Sequence, residues 1–315
     1  MVRFALRRGA VMVATLFVVS VLTFLIPYLS GGDPVRTILR SQVSEGGADP
    51  AAVEAMKREL GLDQSLLVQY LSWLGRAVQG DFGLSFTSRT PVEELLGGAL
   101  GVSLTLAVIA LSTAILLAVP LGTLAATRPG KKIDTGVTFL TQGFVALPEY
   151  WLAPVLVLLF SRYLGWLPSA GWNSPESLIL PVLTLTLRPL AYFARVTRAS
   201  MIDVLAAPYI VAARGRGLSS GEALVRHGLR NGLLPVLNLA SLWFAGLLGG
   251  SVVVEVMFAI PGMGQLVYKA VVNHDMPVIQ GGLLCLVALA IVVSTAADLL
   301  SEVINPTAGA RHGTH

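Results

Sequence analysis

The sequence predicts an all-α protein that crosses a membrane six times. The chain is 54% hydrophobic and only 13% charged, where a soluble domain carries about 25% charged residues. Its mean hydropathy is +0.74. Its apolar residues gather in runs of the ~20-residue length that a helix needs to cross a bilayer. A length of 315 residues would otherwise read as two soluble domains at about 150 residues each. Two cores of that size cannot hide this much apolar surface. Disorder, coiled coil and a disulfide-rich scaffold are excluded by the same composition. The single cysteine, Cys285, allows no internal disulfide or Cys-based metal cluster.

The expected spans, in order, are 9–29, 100–127, 135–161, 178–199, 233–258 and 278–300. The first is too long for a signal-peptide core and lacks an Ala-x-Ala cleavage pattern, so it reads as retained. The third holds Pro148 and Pro154, and the fourth Pro181 and Pro189. Proline is tolerated in bilayer helices because neighbouring groups satisfy the freed carbonyls.

Basic residues orient the spans. Arg3, Arg7 and Arg8 precede the first, and Arg128, Lys131 and Lys132 lie between the second and third. Arg195, Arg198, Arg214, Arg216, Arg226 and Arg230 follow or close the fourth, and Arg311 lies in the tail. The short loops on the opposite side hold only Arg162 and Lys269. Cytoplasmic loops collect Lys and Arg, so both termini are expected in the cytoplasm. The net charge of +4 follows from this bias and needs no nucleic acid.

The chain is therefore expected to comprise a cytoplasmic N-terminus with the first helix (1–30) and an extracytoplasmic helical segment (31–98). A five-helix core (99–305), with a cytoplasmic loop at 200–232, and a cytoplasmic tail (306–315) would follow. In 31–98, Asp49 reads as an N-cap with Pro50 at the first helical position, and Gly61 as the stop. A second amphipathic stretch places Leu66, Leu67, Tyr70, Leu71, Leu74 and Val78 on one face, ending near Gly80. These helices are expected to lie on the bundle or the membrane surface, with a partner or substrate contact as the other reading.

In the loop 200–232, Ser219 and Glu222 form a Ser-x-x-Glu capping box, so a short helix should start there. Gly215, Gly217 and Gly221 permit tight turns before it. The six arginines from Arg195 to Arg230, four of them within this loop, and small residues at the helix entry suit docking into a cleft of another protein. Two further charges lie within spans: Glu149 beside Pro148, and Arg188. A charge at such depth costs at least about 2.5–3.5 kcal/mol, so it is paired or faces a wet cavity.

Several chemistries find no support. There is no Gly-x4-Gly-Lys-Ser/Thr phosphate loop and no His-Glu-x-x-His. His227, His274, His312 and His315 are scattered, so no metal site, catalytic residue or cofactor site is expected in this chain. Asp81-Phe82-Gly83 copies a kinase triplet without its companions. Gly217-Leu218-Ser219-Ser220-Gly221 copies a nucleophile elbow without the strand that must precede it.

Six motifs in order along nearly the whole chain resemble one family. They are Gly32-Asp33-Pro34; Gly80-Asp81-Phe82-Gly83 with Ser85; and Ala194-Arg195 through Arg198-Ala199-Ser200-Met201. The others are Ala213 to Gly217 with Arg226-His227 and Leu234-Pro235; Val254-Glu255; and Pro261-Gly262-Met263-Gly264-Gln265-Leu266. Together they resemble the first membrane permease of bacterial ABC importers for dipeptides, oligopeptides or nickel. The resemblance implies the type I importer permease fold with an extracytoplasmic insertion between helices 1 and 2. It implies a bacterial inner-membrane, multi-pass, binding-protein-dependent transport subunit that is itself no enzyme.

The implied partners are a second homologous permease, two cytoplasmic ATP-binding subunits (or one fused), an extracytoplasmic solute-binding protein and the lipid bilayer. ATP and Mg would be bound by the ATPases. The residues it assigns to ATPase coupling are Ala213, Gly217, Ser219, Glu222, Leu224, Arg226 and His227. The usual Glu-Ala-Ala start is absent, since Val211 precedes Ala212-Ala213. Near relatives carry peptides, nickel chelates, glutathione or opines. Glu149 and Arg188 depart from the family pattern and form a candidate pathway lining or intramembrane pair. The alternative function is a stand-alone secondary transporter with Glu149 as its proton or ion site, although no inverted repeat supports it.

Overall fold

The computed structural model describes residues 2–29 and 63–304. Within these residues regular structure is helical, apart from a β-bridge between Leu84 and Pro91. The expected helix at 49–61 lies outside the described residues. The long helices are α1 (Val2–Leu29), α2 (Leu66–Val78), α3 (Val92–Thr127), α4 (Lys132–Ala146), α5 (Glu149–Leu156) and α6 (Ile179–Ala206). Two short helices follow, α7 (Pro208–Gly215) and α8 (Ser220–Ala223); α8 continues through a π-turn into α9 (Leu229–Gly232). Then come α10 (Leu234–Gly250), α11 (Val252–Met257), α12 (Met263–Val272) and α13 (Met276–Ile304).

Among the described residues four helices are long and apolar enough to cross a membrane unbroken, and the number rises to six where each of two bent pairs counts as one span. Large apolar side chains such as Val13, Phe17, Leu22, Leu116 and Phe139 are exposed, as lipid-facing positions must be. The third expected span, 135–161, is not one helix. It breaks at Leu147–Pro148, and α4 meets the segment Glu149–Tyr163 at 100°. The cause is local. Pro148 has no N–H to donate, and its ring drives Leu147 into the extended region (φ −85°, ψ 114°). Pro154 repeats the loss of a donor, and the helix widens to a π-form over Val157–Tyr163. The fourth expected span ends late: α6 runs seven residues past 199, to Ala206. It stops because Ala207 precedes Pro208 and is extended (φ −68°, ψ 142°).

The chain divides into two compact units. One comprises Met1–Ser103 and Pro261–Ile291, the other Leu104–Ile260 and Val292–His315. In the first unit, Val92, Leu96 and Ala99 of α3 pack on Met263, Ala270, Val278 and Ile279. The expected amphipathic helix forms as α2, but its buried face is Tyr70 and Trp73, packed on Phe24 of α1. Leu66, Leu67, Leu71 and Val78 stay exposed. Ser20 and Tyr70 hydroxyls share a hydrogen bond of 2.8 Å. The aromatic rings take the buried face because each buries more apolar area than a leucine, and the Tyr70 hydroxyl also finds its polar partner in Ser20.

Helix α12 has no counterpart in the sequence reading; residues 261–277 read there as a loop. Its first amide, that of Met263, donates to Ser103 Oγ at 2.8 Å, which satisfies one of the unpaired helix-start donors. Beyond it, Asp275 is 3% exposed. Its carboxylate accepts from Ser85 Oγ (2.5 Å) and from the amides of Phe86 (3.0 Å) and Thr87 (3.1 Å). This explains Ser85 in the Gly-Asp-Phe-Gly-x-Ser motif: it is the hydroxyl that ties this loop to a buried acid.

In the second unit, α3 and α6 touch backbone to side chain at Gly122. A Cβ there would lie 2.5 Å from the Ala194 carbonyl oxygen and 2.7 Å from Thr197 Cβ. Neither can yield without moving a helix. We expect Gly122→Ala to destabilise the protein by about 1–3 kcal/mol through overpacking. Gly98→Ala, in the same helix with nothing within 4 Å of its Cβ, should be neutral or slightly stabilising. Thermal unfolding of the purified protein in detergent would separate the two.

Candidate functional site

The expected short helix after α6 is a hairpin of two arms. Pro208 starts α7 at a position where its missing N–H costs nothing. The first arm ends in a Schellman motif: the Gly217 amide donates to the Arg214 carbonyl (2.9 Å) and the Leu218 amide to the Ala213 carbonyl (3.3 Å). That motif requires a left-handed residue after the cap, and Gly217 has φ +98°. Its Cβ position is open, so glycine is needed there for backbone conformation and not for space. Leu218 folds back on Ala213, the apolar contact that accompanies the motif.

The second arm begins at once. The Glu222 amide donates to Ser219 Oγ (3.3 Å), while the Ser219 amide (2.9 Å) and hydroxyl (2.7 Å) donate to Glu222 Oε2. The capping box is therefore present as read from the sequence.

Ala213 and Ala223 face each other inside the hairpin with Ile210 and Val204. Leu224 is also interior, packed on Met201 of α6 and Ala126 of α3. Of the seven coupling residues, then, Ala213 and Leu224 hold the hairpin together. Gly217, Ser219, Glu222, Arg226 and His227 are exposed, as are Arg214 and Arg216. Residues 200–206, expected in the loop, are instead the last turns of α6, so the hairpin spans about 207–232 and stands directly on a transmembrane helix.

The two intramembrane charges lie on neighbouring helices. Arg188 is exposed on α6, and Glu149, half-buried, opens α5 immediately after the Pro148 break. Among the described residues the two form no direct ion pair. A direct ion pair of this unit, Asp134–Arg198, has no counterpart in the sequence reading. Asp134, 4% exposed, accepts from both Arg198 Nε and Arg198 Nη2, the second at 2.6 Å, and from the Gly130 amide at 2.8 Å. In the sequence Arg198 stands out as a topology marker and as part of the Ala-Arg-x-x-Arg-x-Ser-Met motif, and Asp134 does not stand out at all. The signal available was an acid in the first turn of the helix after a Gly-Lys-Lys turn. Glu255, fully buried, accepts from Ser251 Oγ at 2.7 Å, so this motif acid is also held inside the second unit.

Residues 118–309 match the family described as binding-protein-dependent transport system inner membrane component, and residues 1–107 match its N-terminal companion. The chain belongs to this family. It is a permease subunit of an ABC importer and an inner-membrane component. A putative peptide transport system permease protein of Brucella abortus is 38% identical over 309 residues, covering 96% of this chain and 97% of the relative. The glutathione transport system permease protein GsiC of Escherichia coli K12 is 37% identical over 306 residues, covering 97% of this chain and 98% of the relative. In fold, the chain is similar to the inward-facing MetNI methionine ABC transporter, with a TM-score of 0.57 at 21% identity over 67% of this chain and 96% of that one. The family finding leaves the stand-alone secondary transporter without support.

Asp134→Asn should lower stability by about 2–3 kcal/mol. That is below the ~3–5 kcal/mol of a fully buried pair because Arg198 is 32% exposed. Replacing both partners together, Asp134→Asn with Arg198→Gln, should lose less than the sum of the two single losses. Chemical denaturation of the four proteins gives the coupling energy, and strict additivity would show that the pair contributes nothing.

Proposed function

We propose that this permease forms, with a second similar permease, the path by which peptides or glutathione-like solutes enter a bacterial cell. An extracytoplasmic binding protein delivers the solute. Two cytoplasmic ATPases, or one fused pair, hold the ATP and Mg and carry out hydrolysis; this chain binds no cofactor and catalyses no reaction. Both termini lie in the cytoplasm, and the segment 31–98 lies outside, toward the binding protein.

The observation that carries the reading is the hairpin of α7 and α8–α9. It is rigid at its turn, through the Schellman motif and capping box, and small inside. Its exposed surface holds Arg214, Arg216, Arg226 and His227, a cationic projection suited to an ATPase cleft. Because Leu224 packs on α3 and α6, a push on the hairpin is delivered to transmembrane helices. The substrate class rests on the two relatives, which are named for peptides and for glutathione.

Two measurements test this. A cysteine placed at Ser44 should react with an impermeant thiol reagent in whole cells while one at Ser220 should not; the reverse result would invert the orientation. Gly217→Val forces a branched residue to φ +98°, at a local cost of about 1–3 kcal/mol. We expect normal membrane insertion, loss of ATPase co-purification and at least tenfold slower uptake, one decade per ~1.4 kcal/mol. Unchanged uptake at normal expression would remove the hairpin from the coupling role.

A further inference from the structure

Helix α6 carries an unusual stripe for a membrane segment. Arg188, Tyr192, Arg195 and Ala199 follow at i, i+4, i+7 and i+11, the spacing of one helix face. Arg188 and Ala199 are exposed, and Tyr192 and Arg195 half-buried. The remaining faces are closed: Leu190, Ala191, Phe193, Ala194 and Thr197 are all 3% exposed or less. The Arg195 guanidinium lies over the Tyr192 ring, 4.9 Å from its centre, and Tyr192 packs on Trp243 of α10 at 5.3 Å between ring centres. The stripe runs on toward exposed Asp203 at the end of the helix. Toward the other end the face closes, because Thr184 and Leu185 are buried.

Two arginines about 10 Å apart along one helix cannot face lipid without heavy cost. Glu149, the acid on the adjoining helix, forms no ion pair with either guanidinium among the described residues. A guanidinium stacked on a ring keeps its in-plane N–H donors available for bidentate contact with a carboxylate.

We propose that the Arg188–Tyr192–Arg195 stripe lines the solute path and receives the carboxylate of a passing peptide, with Glu149 beside Arg188 meeting the opposite charge of the zwitterion. This rests on the peptide-permease reading above and extends it to the chemical feature that is recognised. The occupant is a mobile carboxylate because a protein surface closing over the stripe would have to bury two arginines, each with its own fixed acid, within the membrane.

The test uses the whole complex with its ATPases and binding protein. Cys285 is the only native cysteine, so Cys285→Ser gives a clean background for single cysteines. Tyr192→Cys and Ala199→Cys should react with methanethiosulfonate reagents, and Phe193→Cys, on the closed face, should not. Relative to a free thiol, the anionic reagent should be preferred about tenfold over a neutral one at Tyr192→Cys, the scale of local anion enrichment beside fixed cations. Adding Arg188→Gln and Arg195→Gln should bring that preference to near unity while labelling persists. Trialanine should slow the labelling, and trialanine amide should not.

Silent positions 192 and 199 in the assembled complex would mean that the second permease covers the stripe, and would overturn the proposal. So would labelling without anion preference, or equal protection by acid and amide. A complex that shows the anion preference and the protection but imports no peptide would refute the substrate assignment alone.

Discussion

The bidentate grip of Arg198 on Asp134 organises the second unit. It fixes the start of α4 to α6, and the Gly130 amide adds the preceding turn to the same carboxylate. Within two turns of Arg198, α6 also receives α3 at Gly122 and the hairpin at Met201 and Val204. Three elements thus meet one stretch of helix by three kinds of force. The ion pair is directional, the Gly122 contact is steric, and the Met201–Leu224 contact is apolar. A buried carboxylate cannot be left unmatched in such a place, so the register of α4 on α6 is set by charge, while apolar packing alone would tolerate sliding.

A second constraint comes from the bilayer. A helix that breaks inside the membrane frees carbonyls and amides that must find partners within the protein. The break at Leu147–Pro148 lies where α5 packs against α6, and the acid Glu149 occupies the first helical position after it. An acid there complements the positive end of the helix dipole. Breaks of this kind persist only where protein or a wet cavity surrounds them.

Periodicity and length exposed the helices because 20-residue apolar runs have few other readings. They failed where polar chemistry or proline intervened. Pro148 was visible, but whether a membrane proline kinks or breaks a helix depends on tertiary partners. The end of α6 was legible in principle, since Pro208 forbids the residue before it from staying helical, yet hydrophobicity fades near 199 and set the boundary too early. The capping box at Ser219–Glu222 was read correctly because its bonds are local. Asp134–Arg198 and Ser85–Asp275 were not, because each joins residues more than sixty positions apart and no single-sequence pattern records such a meeting. Trp73 escaped notice for the same reason: its partner, Phe24, lies on another helix.

The hairpin shows why a coupling element built this way can transmit force. A flexible loop would absorb displacement in its dihedral angles. Here the link between the arms is Arg216-Gly217-Leu218-Ser219, and each of these residues is held. Gly217 and Leu218 donate to the first arm, and Ser219 is closed onto Glu222 of the second. Ala213 and Ala223, both fully buried, let the arms approach closely enough for a dry contact, and a packed contact resists compression as a protein interior does. Displacement of the exposed tip would therefore move both arms together, and Leu224 would pass that motion to Met201 and Ala126, on which it packs. The same α6 carries the Arg188–Arg195 stripe up to about 27 Å from its Ala206 end, at 1.5 Å per residue. A rigid α6 would move the stripe with the hairpin, so under the proposed roles one helix would join coupling surface and solute path without any intermediate switch.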